Sequence, residues 1–444
     1  MIKTKENLQA EINDNGRLVN LDGEYRLTLD GAPTGESMQS IITVSGENKI
    51  IDGSAAHITV EITTDPGCEV RIFNVENSAQ NVTFRNMKIS VEYAGENSSG
   101  LIQSLHNNAC NLSVRDCDID FTASEQINYA AIYNDGKMDM HTETPTESLM
   151  VFGCRITADC SPSEAEKDCV LHGIENHLSN SASISNNNIF IKTNGMGEGQ
   201  KAVGIYNSGR YARIENNNIK TNGSHNKGNS PQKAHACGIY NSGMFTIFTG
   251  NNIVAEWGGR CVGLHNFSMF CNITANKIHA THTVSGRCVI LSGEHNVLAD
   301  NMITNTSSNP HFVDVLASSN TVTSNMMVGM KPTSGNISGC GILVKGEPHL
   351  RVSNCNISNN TIERTKDFGI ALTFTKDNVV KNNICKKLSD FGDDAEFCRD
   401  YVGVYAENSV DIFADNIGDG EVIIGKSEHG SAILKNYDEA IKSL

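Results

Sequence analysis

Apolar residues fall along this chain in short, evenly spaced bursts. One segment recurs: an apolar residue, a polar stretch rich in Asn, and a second apolar residue five positions on. It reads Ile184-Ser-Asn-Asn-Asn-Ile189 and again Ile214-Glu-Asn-Asn-Asn-Ile219. Further copies occupy 248–253, 273–278, 298–303, 322–327, 357–362, 379–384 and 412–417, and weaker ones upstream end at Ile89, Ile119 and Ile156. The mean spacing is about 30 residues. Each copy is too short and too rich in Asn and β-branched residues for helix, and Asn favours turns, so the pattern predicts two short strands flanking a turn.

A second element precedes most copies by about 14 residues: Gly173-Ile174, Gly204-Ile205, Gly238-Ile239, Gly263-Leu264, Gly341-Ile342, Gly369-Ile370 and Gly403-Val404. The loops between vary widely while this offset holds, as in a coil of strands with insertions at one corner. A propeller blade needs about 40–45 residues, and the Leu-x-x-Leu-x-Leu frame of leucine-rich repeats is absent. Asn187, Asn217, Asn251, Asn276, Asn301, Asn325, Asn360 and Asn382 share one column, and Asn134, Asn176, Asn207, Asn241 and Asn266 another. Stacked at the strand spacing of ~4.8 Å, such columns form amide ladders that satisfy buried polar groups at turns.

With its Asn columns and coil spacing, the chain resembles the right-handed parallel β-helix proteins of the pectin-lyase-like superfamily. The resemblance covers about 80–430, with Lys49-Ile-Ile-Asp-Gly53 as an early coil and Glu421-Val-Ile-Ile-Gly425 as a last one. It implies an all-β, single-domain solenoid of about 12–14 coils: N-terminal cap and lead-in strands over 1–40, parallel β-helix over 41–430, C-terminal cap over 431–444. Solenoid ends need caps, since open ends would template pairing with another chain. The superfamily spans lyases, hydrolases, epimerases, transferases, phage spikes and non-catalytic proteins, so fold alone does not decide function.

Composition narrows the partners. Against 35 Lys and Arg stand 51 Asp and Glu, a formal charge of −16, which disfavours nucleic acid and anionic membranes. No apolar run approaches the roughly 20 residues of a membrane helix. The 14 cysteines lack zinc-site spacing and a signal peptide, and read as reduced, buried fillers. No metal or other cofactor is expected. Cytoplasmic residence follows, with export without a cleaved signal, or assembly into a phage particle, as alternatives.

If Ile205 and its equivalents point inward, their neighbours point out. The residues before them form a glycine floor. Those after, Tyr133, Glu175, Tyr206, Tyr240, His265, Leu291 and Leu343, form a row of tyrosines with a Glu and a His in it. Long loops at 136–148, 157–170, 192–202, 220–236, 255–261 and 386–400 would wall this face. A shallow aromatic groove suits a chain of sugars, whose apolar faces stack on rings. The motif sets of polygalacturonases, pectate lyases and alginate epimerases are missing, which puts those activities in doubt.

Three constellations remain. Asp168, His172, Glu175 and His177 cluster on one coil, and two carboxylates are what glycoside cleavage needs. Glu256-Trp257-Gly-Gly-Arg260 leads to His265. Asp390, Asp393, Asp394 and Glu396 read as a solvated acidic loop, since no calcium-loop frame is present. The expectation is a carbohydrate-active enzyme, a glycan hydrolase, lyase or transferase, binding an oligo- or polysaccharide. Glu175 and Asp168 are the carboxylates, His265 and Arg260 the auxiliaries, and Tyr133, Tyr206, Tyr240, Trp257 and His177 contact substrate. The alternative is a non-catalytic structural or adhesive β-helix, or a phage-type spike, which implies a homo-trimer.

Overall fold

The computed structural model describes residues 2–14, 16–29, 38–96, 98–135, 148–160, 169–193, 201–223, 235–257, 259–281, 285–307, 309–329, 339–365, 367–387, 401–418 and 421–424, without the side chains of 201, 387 and 421–424. The C-terminal cap expected over 431–444, the acidic loop 390–396 and Asp168 lie outside the described residues, as do most residues of the loops expected to wall the outer face. Compactness divides the chain into two units, Met1–Gly259 and Arg260–Leu444. Each is a parallel β-helix.

In the first unit a typical coil runs Val170–His177, Ser183–Ser185 and Asn188–Thr193, and the next Lys201–Asn207, Arg213–Glu215 and Asn218–Gly223. Each strand pairs in parallel with its equivalent one coil on: Ile174 opposite Ile205, Ile184 opposite Ile214, Ile189 opposite Ile219. Parallel strands joined by crossovers take the right-handed sense. These six isoleucines are 0% exposed and stack pairwise in three apolar columns. The second unit repeats the scheme from Arg260–Asn266 and Ser285–Leu291 through Val402–Glu407.

The short strand and its successor meet at a turn where two adjacent positions divide the work. Asn186 and Asn216 take the left-handed backbone, at φ +57° and +55°, which Asn tolerates better than most residues. Asn187 and Asn217, next along, point inward and build the ladder. Asn187 Nδ2 donates to Asn217 Oδ1 at 2.9 Å, and Asn217 Nδ2 to Asn251 Oδ1 at 3.0 Å. A second ladder runs Asn107, Asn134, Asn176, Asn207, Asn241, with amide contacts of 2.6–2.8 Å. In the second unit Asn276, Asn301, Asn325, Asn360, Asn383 and Asn416 stack in the same way.

Two expectations of register need correction. In the coil after Asn360 the ladder member is Asn383, not Asn382, which holds the left-handed turn at φ +55°. The inward pair is Val380 and Cys385, while Ile384 is 37% exposed. The next copy slips alike, leaving Ile412 and Ile417 exposed. Cys385 fills the apolar place, and an apolar-residue pattern misses it.

The glycine floor is the second correction. The pairing skips Gly204, running His172–Val203 and then Ile174–Ile205. Both strands skip one residue, so register is kept, and alternation breaks in each strand alike: two consecutive residues, as at Gly173 and Ile174, turn inward. A Cβ on Gly204 would strike Ile219 Cγ2 and lie 2.6 Å from Gly238 O. The glycines therefore face the opposite wall of the core. Gly204→Ala is expected to cost about 1–3 kcal/mol through overpacking, read as a lower urea midpoint. An unchanged midpoint would mean the column has room.

Residues 1–40, expected to be an N-terminal cap and lead-in strands, contain the helix Lys5–Asn13. Leu8 and Ile12, four apart and 0% exposed, cover the end of the core. Gln9 stands in for a missing strand: its amide donates to Thr43 O and accepts from Thr43 N, both at 2.8 Å. The edge of Met38–Val44 is thereby satisfied where it would invite another chain. Lys49 Nζ closes the helix C-terminus on Ile12 O at 2.6 Å.

Candidate functional site

The break in alternation at the glycine resets which residues look outward. On Val170–His177 these are His172, Glu175 and His177. Register carries the Glu175 column to Tyr133 on one side and to Tyr206 and Tyr240 on the other, and Tyr133 in turn pairs with His106. The first unit therefore presents an outer row His106, Tyr133, Glu175, Tyr206, Tyr240.

Glu175 lies at the centre of the row's chemistry. Its Oε2 meets His172 Nδ1 and its Oε1 meets His177 Nε2, both at 2.5 Å. Burial on its own would raise the carboxyl's pKa, but hydrogen bonds from the two histidines outweigh it and hold the group at about 2. Glu175 is thus ionised, with both oxygens engaged. An ionised carboxylate accepts, so each bonded ring nitrogen carries a proton. Such a carboxylate orients a histidine base, and it cannot serve as the protonated acid of glycoside cleavage.

The aromatic rings stack along the row. His106 lies 5.2 Å from Tyr133 at 10° between planes, His172 5.7 Å from Tyr206 at 8°, and Tyr206 5.4 Å from Tyr240 at 9°. His177 is wedged at 39° between Tyr133 and Tyr206. Ring faces are turned toward neighbours in the row, so the tyrosines offer edges and hydroxyls rather than open platforms. Burial, and then the charges of Glu175, Asp135 and Glu69, push the Tyr133 hydroxyl pKa up, keeping it a donor. His106, 1% exposed, hydrogen-bonds Gln103 Oε1 at 2.7 Å. Burial, and after it Arg71, lowers its pKa to about 4, so it stays neutral.

Of the residues anticipated from sequence, the structure brings together Tyr133, Glu175, His177, Tyr206 and Tyr240. Trp257 is not in the row. It follows the strand Asn252–Glu256 with φ +58°, and Glu256 is taken up by Lys220 Nζ at 2.7 Å. His265 and Arg260 belong to the second unit.

There they join a buried polar cluster. Asp314, 3% exposed, is 2.8 Å from Arg287 Nε through Oδ2 and 2.7 Å from His311 Nδ1 through Oδ1. Burial and then Arg260 lower the His265 pKa to about 4, while burial and then Arg287 bring Arg260 to about 10. Arg287, His311 and Asp314 went unread because their strands, Ser285–Leu291 and Asn309–Val315, both lack the Gly-Ile tag. Within the second unit the residue paired with His265 is Ile290, where Leu291 was expected; Leu291 faces inward and is 0% exposed. His106 was legible in principle, since it precedes Asn107 as Tyr133 precedes Asn134.

No protein-family model and no curated protein matches the chain. Among solved structures it is similar to a tailspike protein of E. coli bacteriophage HK620 in complex with pentasaccharide (10% identity over 91% of this chain and 74% of that one, TM-score 0.46). It is also similar to the Azotobacter vinelandii mannuronan C-5 epimerase AlgE6 A-module (12%, 92% and 94%, TM-score 0.41) and to the periplasmic alginate epimerase AlgG (10%, 94% and 83%, TM-score 0.36). None of these reaches a TM-score of 0.5, and the fold stated here rests on the strand pairings of this chain. Among the described residues no helix is long and apolar enough to cross a membrane.

Proposed function

We propose that this protein binds an oligo- or polysaccharide along the outer row of the first unit and acts on it by histidine general-base catalysis. The observation that supports this reading is Glu175, ionised and shared between two histidines within a row of tyrosines. Sugar hydroxyls find donors and acceptors in the Tyr133, Tyr206 and Tyr240 hydroxyls. His172 or His177, oriented by Glu175, takes a proton from the substrate or from water. Glu175 is then a positioning residue rather than an acid. The acidic overall charge favours a neutral or weakly charged glycan.

The test is a glycan-array binding and product screen that reads double-bond absorbance beside reducing ends. New absorbance means elimination, and reducing ends without it mean hydrolysis. Tyr206→Ala and Tyr240→Ala are expected to weaken binding roughly tenfold each, about 1.4 kcal/mol. Unchanged affinity in both would remove the row as the binding surface. Binding without product leaves the adhesive reading, and silence across the array would defeat the carbohydrate reading altogether.

A further inference from the structure

We infer that Cys160 and Cys169 form a disulfide when the chain folds in the presence of a small-molecule disulfide. Cys160 ends the strand Arg155–Cys160, and Cys169 immediately precedes Val170–His177. Their sulfurs lie 3.6 Å apart, Cys169 Sγ donating toward Cys160 Sγ. Both are 0% exposed. Each is also held from a second side, Cys160 on Glu125 O at 3.4 Å and Cys169 on Ile127 O at 2.9 Å. One backbone stretch thus sets the two thiols side by side. A filler role accounts for either cysteine alone, since a buried Cys is a small apolar group with a weak S–H donor. It does not account for their contact. An S–S bond is about 2.04 Å long, so closure needs an approach of roughly 1.5 Å.

The chemistry balances as thiol–disulfide exchange. During refolding either thiolate can attack first; in the folded contact the hydrogen bond from Cys169 favours the thiolate of Cys160, lowering its pKa. With Cys160 first, its thiolate attacks one sulfur of oxidised glutathione, forming a mixed disulfide and releasing one glutathione thiolate. Cys169, deprotonated, attacks the Cys160 sulfur and releases the second. Two protein thiols are oxidised and one glutathione disulfide is reduced to two thiols, the protons of the cysteines passing through solvent to the released glutathione thiolates. The bond closes the segment 161–168 covalently and restrains the unfolded chain there. It also ties down the residue that leads into the strand of His172, Glu175 and His177. The inference stands apart from the glycan reading.

The experiment refolds the reduced full chain in a glutathione redox buffer, quenches with acid, alkylates under denaturing conditions and maps the peptides by mass spectrometry. A linked peptide pair joining Cys160 and Cys169 is expected. Alkylation at both should be about tenfold lower than at the buried Cys340. Alkylation of both to the level of Cys340 overturns the inference. Cys169→Ser should return Cys160 to the Cys340 level, and continued protection of Cys160 in that variant also overturns it. Should Cys169→Ser fail to refold, the wild-type peptide map alone decides.

Discussion

Glu175→Gln is expected to lower turnover on the glycan by about 10²–10⁴-fold, the range of general acid–base catalysis, with KM little changed. The glutamine is nearly isosteric, so the row keeps its shape. Its amide accepts at one atom and donates at the other, so it cannot receive a proton from both His172 and His177. One ring loses its partner and its fixed tautomer, and the negative charge that stabilises an imidazolium is gone. Glu175→Asp should recover part of the loss, because the charge returns at a shorter reach. A purely structural role predicts a different outcome: equal turnover per folded molecule in wild type and variant. Full turnover by Glu175→Gln would sink the assignment.

The same carboxylate makes a pH-dependent contribution to stability. Its pKa is about 2 in the folded protein against an ordinary 4.5. A depressed carboxyl stabilises the fold above its unfolded pKa, and the contribution is lost as pH falls through the folded value. Wild type should therefore exceed Glu175→Gln by about 3 kcal/mol at neutral pH. The gap should hold down to about pH 4.5 and close towards pH 2. Urea midpoints of both proteins across this window provide the check, and a gap independent of pH would mean that the ion is not what matters.

Asn217→Ala should be the most destabilising polar substitution in the first unit. Asn217 is 1% exposed. It donates to Ile184 O at 2.9 Å and to Asn251 Oδ1 at 3.0 Å, and accepts from Asn187 N and Nδ2 at 3.0 and 2.9 Å. Alanine orphans partners in both adjacent coils at once, and a buried polar group without a partner costs about 1–3 kcal/mol. A total of about 3–6 kcal/mol is expected. The neighbouring Asn218 makes only exposed amide contacts, donating to Asn188 Oδ1 at 3.0 Å and accepting from Asn252 Nδ2 at 2.8 Å, and Asn218→Ala should stay within about 0.5 kcal/mol. Because solenoid coils couple to nearest neighbours, hydrogen-exchange protection should drop first around 184–189 and 248–253. Equal urea midpoints for the two variants would show that the ladder is dispensable.

The sequence by itself determined the coil. Short apolar bursts at a steady offset, with Asn at one turn position, admit no helix and leave stacked parallel strands as the way to bury both the isoleucines and the amides. That logic located Asn187, Asn217 and Asn251 as ladder members and placed Tyr133, Glu175, Tyr206 and Tyr240 in one column. It failed where a local irregularity carries no sequence mark of its own. Gly204 looked outward by simple alternation, but alternation breaks there and turns it into the core. At Val380–Cys385 a cysteine took an apolar place and the apparent register slipped by one. Helix Lys5–Asn13 was missed because its burial comes from two residues only, Leu8 and Ile12, against the open end of the core. The partners of each site were decided by tertiary structure alone. His172 and His177 share Glu175 because two consecutive inward residues, Gly173 and Ile174, put residues three before and two after the carboxylate on its face. Arg287, His311 and Asp314 converge from coils whose sequences share no tag. Contacts between coils are set by which residues stack one turn apart, and loops of unequal length erase that distance from the linear chain.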